Sequence, residues 1–103
     1  MELPLELRRY PREEVFSAVM FVPDGHNAMA LDLSAGGARV GLIDEWRPSP
    51  GSVLPVSFLF DTDQPIVLQC RVTRVAVDHV GMAFEPEQDE SIQRLLVAAR
   101  VLH

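Results

Sequence analysis

The chain alternates apolar and polar positions in six short segments, a pattern typical of the strands of a small all-β domain. β-branched and aromatic residues are frequent in these segments, and clusters of Pro, Asp, Gly and Asn separate them. In the longest segment the apolar phase changes near Arg74, which indicates a bulge or a bend. The predicted strands cover residues 15–22, 28–33, 38–43, 53–60, 66–78 and 80–84.

The pattern changes after residue 84. An acidic stretch containing Pro86 favours the start of a helix, and apolar residues then recur at helical spacing. The sequence therefore predicts one all-β domain over residues 1–103, a small barrel closed by a C-terminal helix. Its parts are a flexible arginine-containing loop (about 1–14), the barrel (about 15–85) and the helix (about 87–102). The apolar face of that helix consists of Ile92, Leu95, Leu96, Ala99 and Leu102.

Residues 31–40 (LDLSAGGARV) predict the end of one strand, a tight glycine turn and the start of the next strand. Met29, Leu31 and Leu33 are expected on one face, and Asp32 and Ser34 project together from one side of an extended chain. Gly36 and Gly37 suit a turn that needs positive φ or close approach of the backbone. An ordinary hairpin with an Asx or Ser turn has the same composition, so these residues alone leave a ligand site and a plain turn both open.

Net charge and composition restrict the class of protein. The net charge is −6, which argues against a general DNA- or RNA-binding protein, since such a protein needs a basic field. The single cysteine, Cys70, allows no internal disulfide and is expected in the core. No segment approaches the roughly 20 apolar residues of a membrane helix, and no signal-peptide pattern is present. We therefore expect a cytoplasmic protein without membrane insertion.

Upstream of the first strand lies a basic cluster, Arg8-Arg9-Tyr10-Pro11-Arg12. Arg8 and Arg12 form an Arg-x-x-x-Arg pair, and residues 32–37 form Asp-x-Ser-x-x-Gly. With the strand 80–84 before the closing helix, these motifs resemble, in order and spacing, those of PilZ domains, bacterial receptor domains for cyclic di-GMP. The resemblance extends from about Arg8 to Leu102. It implies a six-stranded antiparallel barrel of the PilZ type.

The resemblance implies roles for the arginines. Guanidinium groups bind phosphate oxygens and the O6/N7 edge of guanine, so Arg8 and Arg12 would hold a phosphate and a guanine. Arg9 would reach a second phosphate or lie in solvent. Leu7, which stands where an arginine is associated with a stacked ligand dimer, favours one ligand per chain. The adjacent carboxylates of Glu13 and Glu14 would oppose an anionic ligand.

It also implies roles for the strand and turn residues. Asp32 would accept hydrogen bonds from guanine N1–H and N2–H₂, and Ser34 would add a hydrogen bond to ligand or loop. Gly36 and Gly37 would let the backbone approach the ligand. No metal or other cofactor is expected. The scattered His26, His79 and His103 show neither metal spacing nor a catalytic set and are interpreted as surface residues, and Trp46 as packing at the core or rim. Arg39, Arg71 and Arg74 are expected on the solvated face, with one or two at the border of the ligand.

The resulting hypothesis is a non-catalytic receptor for cyclic di-GMP. Ligand binding would order the arginine loop, and a downstream partner protein, so far unidentified, would read the changed surface. The alternative is a PilZ-fold adaptor in pilus or motility machinery that binds a protein partner without nucleotide. An enzyme is disfavoured because the sequence offers no paired catalytic groups with an orienting partner.

Overall fold

The alternating segments form six strands, followed by one helix, in a computed structural model that describes residues 13–22, 25–60 and 64–102. Two strands are shorter than the sequence predicts, because the segment from residue 53 ends at Phe58 and the segment from residue 66 ends at Val75. The elements are β1 (Glu13–Phe21), β2 (His26–Leu33), β3 (Gly37–Leu42), β4 (Val53–Phe58), β5 (Ile66–Val75), β6 (His79–Phe84) and α1 (Asp89–Leu102).

The strands close into a barrel in the order β1-β2-β3-β6-β5-β4, and every neighbouring pair is antiparallel. Pairing of β1 with β4 completes the ring, so no strand edge of the barrel is left open. The predicted six-stranded antiparallel barrel with a C-terminal helix is therefore confirmed. Within the described residues, no helix has the length and apolar character needed to span a membrane.

The core combines the inward-facing side chains of the strands with one face of α1. Alternate residues of β5 are buried, which is the two-residue period of a strand with one face on the core. The acidic residues Asp89 and Glu90 occupy the first turn of α1, where they complement the helix dipole. Four of the five predicted helix-face residues are buried against the barrel, and the side chain of Leu102 lies outside the described part. The four are Ile92, Leu95, Leu96 and Ala99.

Bulges interrupt the strand alternation at three places, one of them in β1 between Glu14 and Ser17. In β5, Val72 pairs with Met82 and Arg74 with Gly81, so Thr73 is an extra residue and the predicted irregularity near Arg74 is confirmed. A third bulge lies in β2 and was not predicted. Ala30 pairs with Val40 and Asp32 pairs with Arg39, the next residue along β3. Leu31 is therefore the extra residue of β2.

The bulge at Leu31 changes which residues of β2 face the core. Leu33 is fully buried, whereas Met29 is 37% exposed. The prediction that Met29, Leu31 and Leu33 share one face is therefore wrong. An extra residue shifts the phase of the alternation, and the sequence pattern alone does not reveal it.

Cys70 is fully buried, as predicted, and burial raises the pKa of its thiol to about 12. Because the reactive species is the thiolate, we expect the folded protein to react with iodoacetamide at mildly alkaline pH roughly a thousandfold more slowly than the unfolded chain. Labelling rates followed by mass spectrometry with and without denaturant measure this ratio. Equal rates in the two conditions would contradict the buried, protonated thiol.

Candidate functional site

The turn between β2 and β3 is held by its own backbone and by a serine hydroxyl. The Ser34 N–H donates to the Gly37 carbonyl at 2.9 Å, and the Gly36 N–H donates to Ser34 Oγ at 3.2 Å. The neighbouring strand β6 anchors the turn, because the Phe84 N–H donates to the Gly36 carbonyl at 2.9 Å. The Ser turn that the sequence left open is thus present, and it fixes the hydroxyl of Ser34, a residue that is only 6% exposed.

Gly37 allows two strands to approach closely. A Cβ atom built on Gly37 would lie far inside van der Waals contact of the Met82 carbonyl oxygen on β6. Positive φ is not the reason for this glycine, since the described glycines with positive φ are Gly25 and Gly51. Of the two physical reasons given from sequence, close approach is the one that applies, and the approaching group is β6.

Asp32 and Arg39 form an ion pair across the β2–β3 hairpin. The Arg39 Nε donates to Asp32 Oδ2 at 2.9 Å, and the two residues face each other in the strand register. Asp32 is only 7% exposed, whereas 45% of the Arg39 side chain is exposed. The bulge at Leu31 directly precedes Asp32. A bulge changes the direction of the side chains that follow it, and here it sets the direction of Asp32. A largely buried carboxylate is therefore held in one orientation beside an exposed guanidinium.

The structure brings four of the predicted site residues together at one corner of the barrel. Asp32 lies one residue before the end of β2, Ser34 and Gly36 lie in the turn that follows, and Gly37 begins β3. We call this region the Asp32 corner. The first strand enters the barrel at the same corner, because Glu13 pairs with Leu33 and Glu14 with Asp32. The other predicted site residues, Arg8, Arg9 and Arg12, lie outside the described residues, and their roles stay predictions. Leu7, on which the expected stoichiometry of one ligand per chain rests, lies outside them as well.

The PilZ domain family model matches residues 6–99 of the chain. The chain belongs to the PilZ domain family. The match spans the barrel, most of α1 and the segment that carries Arg8, Arg9 and Arg12. No curated protein matches this PilZ domain.

Three solved structures share its fold at low sequence identity. The inhibitor of motility MotI (DgrA) of Bacillus subtilis superposes with a TM-score of 0.75 at 19% identity, over 95% of this chain and 51% of that one. The PilZ domain of CeSA from a cellulose-synthesizing bacterium superposes with a TM-score of 0.74 at 21% identity, over 90% of this chain and 99% of that one. Escherichia coli YcgR in complex with c-di-GMP superposes with a TM-score of 0.67 at 15% identity, over 93% of this chain and 47% of that one. This PilZ domain thus spans about half the length of MotI and YcgR.

A second polar surface lies beside the Asp32 corner of this PilZ domain. Arg39, Arg74 and Arg71 are all exposed, as predicted, but they have different surroundings. Arg71 binds Glu85, with Nε donating to Oε2 at 2.9 Å. Arg39 and Arg74 instead line a cavity of about 200 Å³ together with Thr73, His79 and Gly81. Sequence reasoning missed this cavity because it depends on strand register and on the bulge at Thr73.

The far side of the barrel holds an aromatic cluster with a structural role. Trp46 stacks on His26 with ring centroids 4.2 Å apart and packs against Phe21 at 4.9 Å, which agrees with the rim packing predicted for it. The backbone N–H of Trp46 donates to Asp44 Oδ1 at 2.9 Å, and this hydrogen bond is the main cause of the lowered pKa of Asp44. Among the described residues, no group of His, Cys, Asp and Glu is arranged to hold a metal ion.

Proposed function

We propose that this PilZ domain is a receptor that binds cyclic di-GMP at the corner formed by the end of β2 and the β2–β3 turn. The observation that carries the proposal is the orientation of Asp32, a largely buried carboxylate fixed by Arg39 at the rim of the turn. Family membership supports it, as does the likeness in fold to YcgR, which is described in complex with c-di-GMP.

The chemistry of Asp32 suits a guanine. A guanine presents N1–H and N2–H₂ side by side, and a carboxylate accepts such a pair of donors with its two oxygens. Burial strengthens these charge-assisted hydrogen bonds because little water competes for the oxygens. The ion pair with Arg39 holds the carboxylate in place before the ligand arrives, which reduces the entropy lost on binding.

The arginine cluster would provide the phosphate contacts. Arg12 is covalently joined to Glu13, whose backbone pairs with Leu33 at the Asp32 corner, so the cluster is attached within reach of the site. In a chain of net charge −6, binding through these three arginines would offset the repulsion of a dianionic ligand. Arg8 and Arg12 would hold a phosphate and a guanine, and Arg9 would either reach the second phosphate or lie in solvent.

Binding would act on a partner rather than catalyse a reaction. The segment carrying Arg8 and Arg12 would become ordered over the ligand and change the exposed surface, which a separate protein then recognises. Hydrogen exchange measured with and without cyclic di-GMP tests this mechanism. We expect slower exchange of residues 7–12 with ligand, and unchanged exchange in a protein that binds ligand would refute the ordering step.

Calorimetric titration of cyclic di-GMP into the wild type and into Asp32→Ala and Arg12→Ala tests the proposed function. Loss of one charge-assisted contact should weaken binding roughly ten- to a hundredfold, with one ligand per chain in the wild type. Asp44→Ala is the matched control, since it removes an exposed carboxylate on the far side of the barrel and should leave affinity unchanged.

The titration also separates the receptor from the adaptor. A folded wild type that binds no cyclic di-GMP would overturn the receptor proposal and leave a PilZ-fold protein that acts through protein contacts alone. Wild-type binding that Asp32→Ala leaves unchanged would instead place the ligand elsewhere on the molecule. Circular dichroism of each variant establishes that the barrel is intact.

A further inference from the structure

A glycine on β6 lies between two arginines of the neighbouring strands. In the register of the sheet, Gly81 pairs with Arg39 on β3 and with Arg74 on β5. Neighbouring strands are about 4.8 Å apart, so the backbones of the two arginines are roughly 10 Å apart with the glycine between them. The cavity of about 200 Å³ lies over this glycine, and we call it the Gly81 pocket, lined by Arg39, Thr73, Arg74, His79 and Gly81.

The bulge in β5 forms one wall of the Gly81 pocket. Thr73 is the extra residue, and both Thr73 and Arg74 are exposed on the outer surface of the barrel although they are consecutive in a strand. The Thr73 hydroxyl donates to the Gly81 carbonyl at 3.0 Å, which ties the bulge to the floor of the pocket. The bulge thus directs a guanidinium toward the space above Gly81.

The fold does not require a glycine at position 81. A Cβ atom there would meet Thr73 Oγ1 at 3.4 Å and Arg74 Cβ at 3.6 Å, both ordinary van der Waals distances. Gly81 differs in this from Gly37, whose Cβ would collide with the backbone of β6. What the glycine at 81 provides is an open floor between the two guanidinium groups.

The guanidinium groups that line the Gly81 pocket provide N–H donors for an anion. Among the described residues, no carboxylate forms an ion pair with Arg74, and the Asp78 carboxylate is bound by His79 at 2.9 Å. That hydrogen bond is the main cause of the lowered pKa of Asp78, to which Arg39 also contributes, so this carboxylate keeps its charge beside the pocket. Arg39 connects the pocket to the Asp32 corner, since its Nε donates to Asp32 while its side chain lines the pocket. A guanidinium has five N–H donors, so Arg39 can contact Asp32 and an anion together.

We propose that the Gly81 pocket takes a phosphodiester group of cyclic di-GMP, held between Arg39 and Arg74, while a guanine of the same ligand binds Asp32. This inference rests on the proposed function and adds a second contact region to it. A ligand that occupies both regions must carry a guanine and a phosphodiester at a fixed distance.

Two variants test the pocket from different sides. Arg74→Gln removes the charge of one wall, and Gly81→Val fills the floor with a β-branched side chain that suits a strand. Arg94→Gln is the matched control, because it makes the same change in net charge on α1. In calorimetric titrations with cyclic di-GMP we expect at least a tenfold loss of affinity for Arg74→Gln and Gly81→Val, and unchanged affinity for Arg94→Gln.

The titrations distinguish failure of the pocket from failure of the receptor. Wild-type affinity in both Arg74→Gln and Gly81→Val, with binding still lost in Asp32→Ala, would refute the pocket and leave the receptor standing. Absence of binding to the folded wild type would overturn both. An equal loss in Arg94→Gln would show a general effect of net charge and would also refute the pocket. Should Gly81→Val fail to fold, Arg74→Gln decides the question.

Discussion

Replacing Gly37 by alanine should destabilise the domain by about 3 kcal/mol or more, a large fraction of the free energy of unfolding of a small domain. The added Cβ would collide with the Met82 carbonyl oxygen, which belongs to the backbone of β6 and cannot rotate away as a side chain can. The clash can be relieved only by separating β3 from β6, and that would break hydrogen bonds that close the barrel. Urea denaturation followed by the fluorescence of Trp46, the single tryptophan, measures the loss.

Gly81→Ala is the matched control for Gly37→Ala. Both substitutions reduce the conformational entropy of the unfolded chain to the same extent, so this contribution cancels in the comparison. A Cβ at Gly81 has ordinary contacts, and we expect a change within about 1 kcal/mol. An equal loss of stability in the two variants would show that the close approach of β3 and β6 at Gly37 is not what this position requires.

Two residues of the Asp-x-Ser-x-x-Gly motif, Gly37 and Ser34, have structural roles. Gly37 approaches β6, and the Ser34 hydroxyl accepts from the Gly36 N–H within the turn, so both residues hold the turn together. Asp32 is the motif residue whose oriented carboxylate is suited to contact a guanine. Loss of binding in a Gly37 variant is therefore expected to follow from loss of structure, whereas Asp32→Ala should bind poorly while still folded.

The fold could be predicted from the sequence because it depends on periodicity. Six alternating segments and one helical apolar face are properties of short windows, and the structure contains all seven elements. The predicted ends of the strands were less accurate than their number, because pairing with a neighbouring strand determines where a strand ends. The strand β5 ends at Val75 because that residue pairs with Val80, and the Ala76 N–H donates to the His79 carbonyl to close the hairpin.

The site was predictable only as far as it is local in sequence. The spacing of Asp32, Ser34 and Gly37 is visible in the chain, whereas the ion pair of Asp32 with Arg39 requires the register of β2 against β3. The unpredicted bulge at Leu31 alters that register by one residue. The Gly81 pocket depends on the bulge at Thr73 and on the pairing of β3, β6 and β5. No single window of sequence contains that information.

Leu95→Ala should have the second large effect on stability, a loss of about 2–5 kcal/mol. Leu95 is fully buried in α1, in the same cluster as the core residues of the barrel. Truncation removes buried methyl groups and leaves a cavity between the helix and the strands. Val97→Ala is the matched control on the same helix, because Val97 is 54% exposed and alanine favours a helix. We expect that variant to be as stable as the wild type or slightly more stable.

The Leu95→Ala experiment also tests whether α1 and the barrel unfold together. Because Leu95 and Leu96 share one continuous core with Leu68 and Val56, helix circular dichroism and Trp46 fluorescence should change at the same urea concentration in wild type and variant. Trp46 reports on the barrel, through its packing against Phe21 on β1. A helix signal lost at lower urea than the tryptophan signal would contradict the shared core and would make α1 an element that detaches while the barrel, and with it the Asp32 corner, stays folded.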